Sequence, residues 1–246
     1  MFGLFKSSKV KPDLSFIGVD MHSHLLPGLD DGLKTIEDTV AYIKELYAMG
    51  YEKLICTPHI LSDVHPNNPT TILPKLEEVR QALQAESVPV KIEAAAEYMI
   101  DHEFEQSIKR GDKLLTFGTN YILVEMSYLA SSPNFDQVIF DLRVQGLQPI
   151  IAHPERYNYY HMQFNQYERM KDMGCLLQVN LLSLSGYYGK PIKKVAEKLI
   201  EANLISFIGT DMHHQNHLNA TKAFVSHKDF YKLTKNMLLK NRMLLD

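Results

Sequence analysis

Nine residues between positions 22 and 213 share one chemistry. Five are histidines (His22, His24, His59, His153 and His213) and four are carboxylates (Asp31, Glu97, Glu125 and Asp211). His22 and His24, like Asp211 and His213, are spaced by two, and in an extended chain both side chains of such a pair point the same way. Each pair is thus built to grip a metal from two sides. Imidazole and carboxylate suit borderline divalent cations such as Mn, Fe and Zn. Nine donors are too many for one ion and fit two or three, with the two oxygens of Glu97 as a bridge. Clustered metals serve phosphoryl transfer, because they generate hydroxide near neutral pH and clamp the attacking and leaving oxygens. Arg156, three residues beyond His153, offers a planar fork for phosphate oxygens.

Each residue also has a blander reading. A lone histidine at a strand end is more often a hydrogen-bonded structural group than a ligand. Asp30 and Asp31 fit an ordinary turn, and Arg156 fits a surface ion pair with Glu155. Tyr157, Tyr159, Tyr160, Tyr187 and Tyr188 fit loop packing better than an aromatic groove. What separates the readings is placement. Short apolar runs cover 16–20, 53–57, 90–96, 121–126, 149–152, 176–179 and 205–209. Helical patterns follow most of them; over Thr35 to Met49, for example, Ile36, Val40, Ile43 and Leu46 share a face, with Thr35 as a cap and Gly50 as a stop. Similar patterns cover 72–85, 135–145, 166–173, 192–202 and the tail from Lys228. Strands alternating with helices imply a parallel sheet with helices outside it. Seven such units suggest a barrel of seven β/α units or a doubly wound sheet. In a parallel barrel all strand C-termini open on one face. The candidates follow six of the seven runs, so they should converge there.

Composition narrows the function classes. The chain has 246 residues, 45% hydrophobic and 22% charged, which is ordinary globular usage and excludes a disordered or fibrous chain. Its net charge of −3 offers no basic excess for a nucleic-acid backbone. No apolar run approaches the roughly 20 residues of a membrane span, so stable membrane insertion is not expected. Cys56 and Cys175 read as buried free thiols in a reducing compartment, and the N-terminus lacks a secretory signal, so the expected location is cytoplasmic. No linker divides the chain. One domain is expected over 16–246, with residues 1–15 as a flexible N-terminal extension. Other catalytic plans fail: neither Cys56 nor Cys175 has the Arg six positions on that a cysteine phosphatase needs. No Walker loop, G-x-S-x-G or H-E-x-x-H motif is present.

Val19-Asp20-Met21-His22-Ser23-His24, Asp30-Asp31-Gly32, Thr57-Pro58-His59, Ile151-Ala152-His153-Pro154-Glu155-Arg156-Tyr157 and Thr210-Asp211-Met212-His213 resemble the PHP (polymerase and histidinol phosphatase) superfamily. Within it they are most similar to the bacterial capsule-type, manganese-dependent protein-tyrosine phosphatases. The resemblance implies the PHP fold, an α/β distorted (β/α)7 TIM-like barrel, and a trinuclear centre holding three Mn²⁺, with Fe, Zn or Mg as other occupants. It implies a first metal on His22, His24, Glu97 and Asp211, a second on Glu97, Glu125 and His153, and a third on Asp31, His59 and His213. It makes Arg156 the phosphate-binding arginine. The implied reaction is hydrolysis of phosphotyrosine by a metal-activated hydroxide, on a bacterial tyrosine kinase that controls capsule or exopolysaccharide export. His213 or His217 would donate a proton to the leaving group. Relatives often carry an Arg shortly after Asp-x-His; here Gln215, Asn216 and His217 stand there, leaving His214 or His217 as the substitute. The alternatives are a phosphoesterase acting on histidinol phosphate or another small ester, a metal-dependent amidohydrolase, and a non-catalytic module of an export complex.

Overall fold

The computed structural model describes residues 12–246. Residues 1–11, with the N-terminal apolar patch and Lys6, Lys9 and Lys11, lie outside the described residues. In chain order the elements are β1 (Val19–Asp20), α1 (Ile36–Ala48), β2 (Lys53–Cys56), β3 (His59–Ile60), α2 (Pro69–Ala85), β4 (Lys91–Ala94), β5 (Glu97–Met99), α3 (His102–Arg110), β6 (Tyr121–Glu125), α4 (Phe135–Val144), β7 (Gln148–Ala152), α5 (Asn165–Asp172), β8 (Leu176–Asn180), α6 (Leu181–Ser185), α7 (Lys190–Glu201), β9 (Ile205–Gly209), α8 (Gln215–Val225) and α9 (Lys228–Thr234). Each strand pairing is parallel. The molecule is thus an α/β fold of the kind the alternation predicts.

The strand segments form two sheets, β1-β2-β4 and β3-β5-β6-β7-β8-β9. β2 and β3 are halves of one strand broken at Thr57-Pro58, where proline removes a ladder donor. β4 and β5 are likewise halves broken at Ala95-Ala96. Hydrogen bonds from Ala95 N to Cys56 O (2.9 Å) and from Glu97 N to Pro58 O (3.1 Å) carry the pairing across both breaks. Seven strand positions therefore follow one another in sequence order.

No ladder joins β1 to β9 among the described residues; side chains and loops stitch them instead. Asp20 accepts from Thr210 N (2.9 Å) and Thr210 Oγ1 (2.5 Å). His24 N donates to Met212 O (3.0 Å) and Asp211 N to His22 O (2.8 Å). Further down, the buried Asn241 amide donates to Val19 O (2.9 Å) and Ile208 O (2.7 Å) and accepts from Ile208 N (3.1 Å). These bonds set the His22 and Asp211 segments side by side.

Strand periodicity of two divides the apolar residues between two layers. Val19, Met21, Ile55, Leu123, Ile150 and Phe207 belong to the smaller cluster. Leu54, Ile122, Val124, Ile151, Leu177 and Val179 belong to the larger one, which the helices cover. Packing reaches back to Leu14, whose N donates to Met49 O (2.6 Å), so part of the expected N-terminal extension lies in the core.

Thr35 caps α1 as expected, accepting from Asp38 N (3.1 Å). α2 starts earlier than its apolar pattern, because Asn68 and Thr71 form a reciprocal capping box ahead of Pro69. α3, α6 and α8 have no counterpart among the expected helices. α3 buries only Phe104 and Ile108, too few for a visible period, and is defined by its ends: Asp101 accepts from Phe104 N (2.8 Å) and Gly111 closes it with φ +72°.

Gly209 ends β9 where β1 and β8 converge. A Cβ there would lie 2.6 Å from His22 Cβ and 3.0 Å from Gln178 Nε2. Gly209→Ala should overpack this contact and cost about 1–3 kcal/mol. Thermal unfolding should show a fall of roughly 2–4 °C per kcal/mol; an unchanged midpoint would mean the strands separate at no cost.

Candidate metal centre

The strand ends bring all nine candidates to one site. His22 and His24 lie just beyond β1, and Asp31 lies in the loop before α1. His59 and Glu97 open the second halves of the broken strands, and Glu125 ends β6. His153 lies beyond β7, and Asp211 and His213 beyond β9. Their donor atoms form overlapping groups, each with all atoms within 4.8 Å of one another: His24, Asp31, His59 and His213; His22, His24 and Asp211; His22, Glu97 and His153; and His59, Glu97 and Glu125. The grouping differs in part from the one the resemblance implies. His59 faces Glu97 and Glu125 as well as Asp31, and His24 joins the Asp31 group.

Glu97 is central. Its Oε2 lies 3.2 Å from His22 Nε2, 3.4 Å from His24 Nε2 and 3.1 Å from His59 Nδ1, and its Oε1 lies 3.0 Å from His153 Nε2. Asp211 Oδ1 faces His22 Nε2 and His24 Nε2 at 3.5 and 3.4 Å. Glu125 Oε1 reaches His59 Nδ1 at 2.9 Å, and Asp31 Oδ1 reaches His213 Nε2 at 3.4 Å.

Two of these residues hold unusual backbone. His153 has φ +34° and Asp211 φ +52°, a region few non-glycine residues occupy. Such strain persists only where the surroundings over-determine it, and it collects at functional sites.

The far sides of the imidazoles are fixed. Asp30 Oδ2 accepts from His24 Nδ1 (2.7 Å) and from His59 N (3.0 Å), so Asp30 orients a candidate ligand and is more than a turn residue. Gly32 permits this: a Cβ there would lie 2.6 Å from His24 Cβ. His22 Nδ1 meets Gln178 Oε1 (2.8 Å), and His213 Nδ1 donates to Asp211 O (2.8 Å). In all three the Nε2 atom is left to face the cluster.

The electrostatics follow from burial of opposite charges. Burial pulls His22 down, but the Glu97 and Asp211 carboxylates override it and raise it above its usual range. His59 rises to about 10 against burial, driven by Glu97. Glu97 and Asp211 sit well below the carboxylate range, since the imidazoles facing them outweigh the burial that would raise them. Glu97 Oε2 and His59 Nδ1 are buried, and their close approaches to each other and to their neighbours lack hydrogen-bond geometry. Inward-facing imidazole nitrogens, carboxylate oxygens and unsatisfied buried atoms are what a divalent cation would complete, so the donor set fits a metal cluster.

Arg156 does not pair with Glu155. Its Nη1 donates to Asp211 Oδ2 (2.9 Å), and its guanidinium lies between the rings of Tyr128 and Tyr188, 4.6 and 4.4 Å from their centroids. Glu155 is buried elsewhere, accepting from Asn180 N (2.9 Å) and Ser183 Oγ (2.6 Å). A cavity of about 560 Å³ opens over the cluster and is lined by Arg156, Tyr128, Tyr188 and His217 among others. Tyr157 and Tyr159 do pack a loop: Tyr157 Oη accepts from Met126 N and Tyr159 Oη donates to Ser127 O. Sequence reasoning missed Tyr128, which follows Glu125 by three residues as Arg156 follows His153. Burial, joined by His214, takes His217 down to about 4. At neutral pH His217 is therefore uncharged and cannot supply the charge of a second arginine.

Residues 18–245 match the family model described as capsular polysaccharide synthesis, CpsB/CapC. The tyrosine-protein phosphatase YwqE of Bacillus subtilis is 30% identical over 234 residues, covering 91% of this chain and 92% of that protein. A solved structure described as YwqE from Bacillus subtilis and CpsB from Streptococcus pneumoniae, metal-dependent tyrosine phosphatases, superposes with TM-score 0.78 at 28% identity, covering 92% of this chain and 94% of the other. Histidinol phosphate phosphatase of Lactococcus lactis, at 17% identity and TM-score 0.50 over 89% of this chain and 93% of that one, shares the fold alone. By sequence match over nearly its whole length, the chain belongs to the CpsB/CapC family of capsular polysaccharide synthesis.

Proposed function

We propose that this protein is a metal-dependent protein-tyrosine phosphatase of capsule or exopolysaccharide synthesis. The observation that carries the reading is the buried His22–His24–Glu97–Asp211 cluster with the Arg156 guanidinium fastened beside it under an aromatic rim. The similarity to YwqE supports the same activity. The substrate is a phosphotyrosine protein, with a bacterial tyrosine kinase as the partner. No helix among the described residues is long and apolar enough to cross a membrane, and both cysteines are free and buried, which supports a cytoplasmic site of action.

His22, His24, Asp31, His59, Glu97, Glu125, His153, Asp211 and His213 would hold the metal, Mn²⁺ as three ions per chain. Bound divalent cations would supply Lewis-acid activation of water and neutralise charge on the phosphoryl group. The remaining work falls to the chain. Arg156 offers the guanidinium N–H groups not committed to Asp211 to the phosphoryl oxygens. The Tyr128 and Tyr188 rings hold that guanidinium in one plane and give the aryl group of the ester an aromatic wall. The leaving phenolate has a conjugate-acid pKa of roughly 10 and needs little proton assistance. His213 acts as a ligand and not as the proton donor, because its Nδ1–H is given to Asp211 O while its Nε2 faces Asp31.

Arg156→Ala should leave metal content unchanged and lower kcat by about 10²–10³-fold, the usual loss for one donor to developing charge. Metal analysis beside steady-state kinetics checks this, and full activity would remove Arg156 from the reaction. His153→Ala and Asp211→Ala should lose metal and activity together.

Phosphate release from a phosphotyrosine peptide and from histidinol phosphate, each with Mn²⁺, tests the substrate class. Faster release from the peptide is expected. Chelation should abolish it, and added Mn²⁺ should restore it. Preference for histidinol phosphate would overturn the assignment.

A further inference from the structure

β8 is the strand that contributes none of the nine candidate ligands. Where other strands place Leu123, Ile150 or Phe207 in the smaller apolar cluster, β8 places Gln178, fully buried, followed two residues on by Asn180. The pairing of β8 with β9 slips by one residue at Leu177/Gln178. Bulges of this kind re-aim side chains beside active sites.

Hydrogen-bond logic fixes both amides. Asp211 Oδ2 is a carboxylate oxygen and only accepts, so the atom 2.6 Å away is Asn180 Nδ2, a donor. Asn180 Oδ1 is then an acceptor and meets Gln178 Nε2 at 2.8 Å. Gln178 Oε1 is thereby left to accept from His22 Nδ1–H at 2.8 Å. In its neutral, metal-binding form His22 then has its lone pair on Nε2, which points to Asp211 Oδ1 and Glu97 Oε2. A chain of hydrogen bonds thus runs from Oδ2 of Asp211 through two amides to His22, whose Nε2 lies 3.5 Å from Oδ1 of the same carboxylate. Glu155 holds the backbone of this strand end by accepting from Asn180 N.

We propose that Gln178 and Asn180 are positioning residues for the metal site. Asn180 turns Asp211 so that Oδ1 faces the cluster, and Gln178 fixes the ring plane and tautomer of His22. The inference rests on reading His22 and Asp211 as ligands of one ion. Partners of this kind typically carry about ten- to hundredfold in metal affinity.

The test is Mn²⁺ affinity of the full chain by chelator competition, with the melting temperature of the metal-free protein alongside. Gln178→Met keeps length and removes all three polar contacts, to His22 Nδ1, Asn180 Oδ1 and His153 N. It should weaken one class of bound Mn²⁺ by about ten- to hundredfold, leave the other ions in place, and shift the metal-free melting temperature little. Gln178→Glu keeps an acceptor for His22 Nδ1–H but loses the donor to Asn180 Oδ1, so its affinity should fall by less than that of Gln178→Met. Wild-type affinity in Gln178→Met, or equal loss in both variants, would overturn the proposal. Should Gln178→Met fail to fold, Asn180→Ala decides: a loss of about tenfold supports the role and wild-type affinity ends it. If the wild-type chain binds no Mn²⁺, the ligand reading itself fails, which is a different result from a bound metal insensitive to residue 178.

Discussion

Glu97 and Asp211 are buried together, and a buried carboxylate needs positive charge close by. Removing one partner of a buried ion pair typically costs about 3–5 kcal/mol, because the other charge is left without water or counter-charge. Here two carboxylates converge on the same two imidazole nitrogens within 3.2–3.5 Å. Protons on the histidines can balance the charge, and so can divalent cations. Either way the cluster is tolerable only if every donor atom is held in place, and much of the fold can be read as the means of doing so.

The means are concentrated where the first and last strands meet. A regular ladder between β1 and β9 would hold their backbones at one fixed spacing. Asp20, Asn241 and the crossed bonds between the His22 and Asp211 segments hold them instead. This lets Asp211 adopt a positive φ and lets Gly209 bring β9 against His22 and Gln178. The breaks in β2/β3 and β4/β5 act similarly. They interrupt the ladder just before His59 and Glu97, so each side chain starts a new segment aimed into the cluster. Backbone regularity is given up at the strand ends and kept in the strand bodies, where the two apolar layers form.

This division explains what the sequence discloses. The seven apolar runs, the parallel order and all nine candidate ligands are legible, because burial writes hydrophobic runs and metal chemistry uses few residue types. Arg156 is legible for the same reason. Helix α3 is not, since its ends define it more than its apolar face does. Asp30 and the amides of Gln178 and Asn180 are also hidden. Glutamine and asparagine occur everywhere, and only coordinates reveal that a carboxylate dictates how both amides are turned. The sequence likewise marks Arg156 and Glu155 as neighbours, whereas the short 3₁₀ turn over Pro154–Arg156 sends one to Asp211 and the other beneath α6.

Asp211 ties these features into one arrangement. Its Oδ1 faces His22 and His24, while its Oδ2 accepts from both Asn180 and Arg156. A single carboxylate therefore sets the separation between the imidazole cluster and the guanidinium. A planar group wedged between two tyrosine rings can keep that separation; the ammonium of a lysine, with no plane to stack, could not. On the proposed function, a phosphoryl group entering the cavity would meet cationic charge from two directions, at a spacing decided before it arrives. Such preorganisation is what makes fixed charges effective toward a transition state, since no reorganisation is needed when charge develops. On this geometry the proposed phosphate and metal sites meet at one residue, Asp211, whose Oδ2 Asn180 still holds when Arg156 is removed.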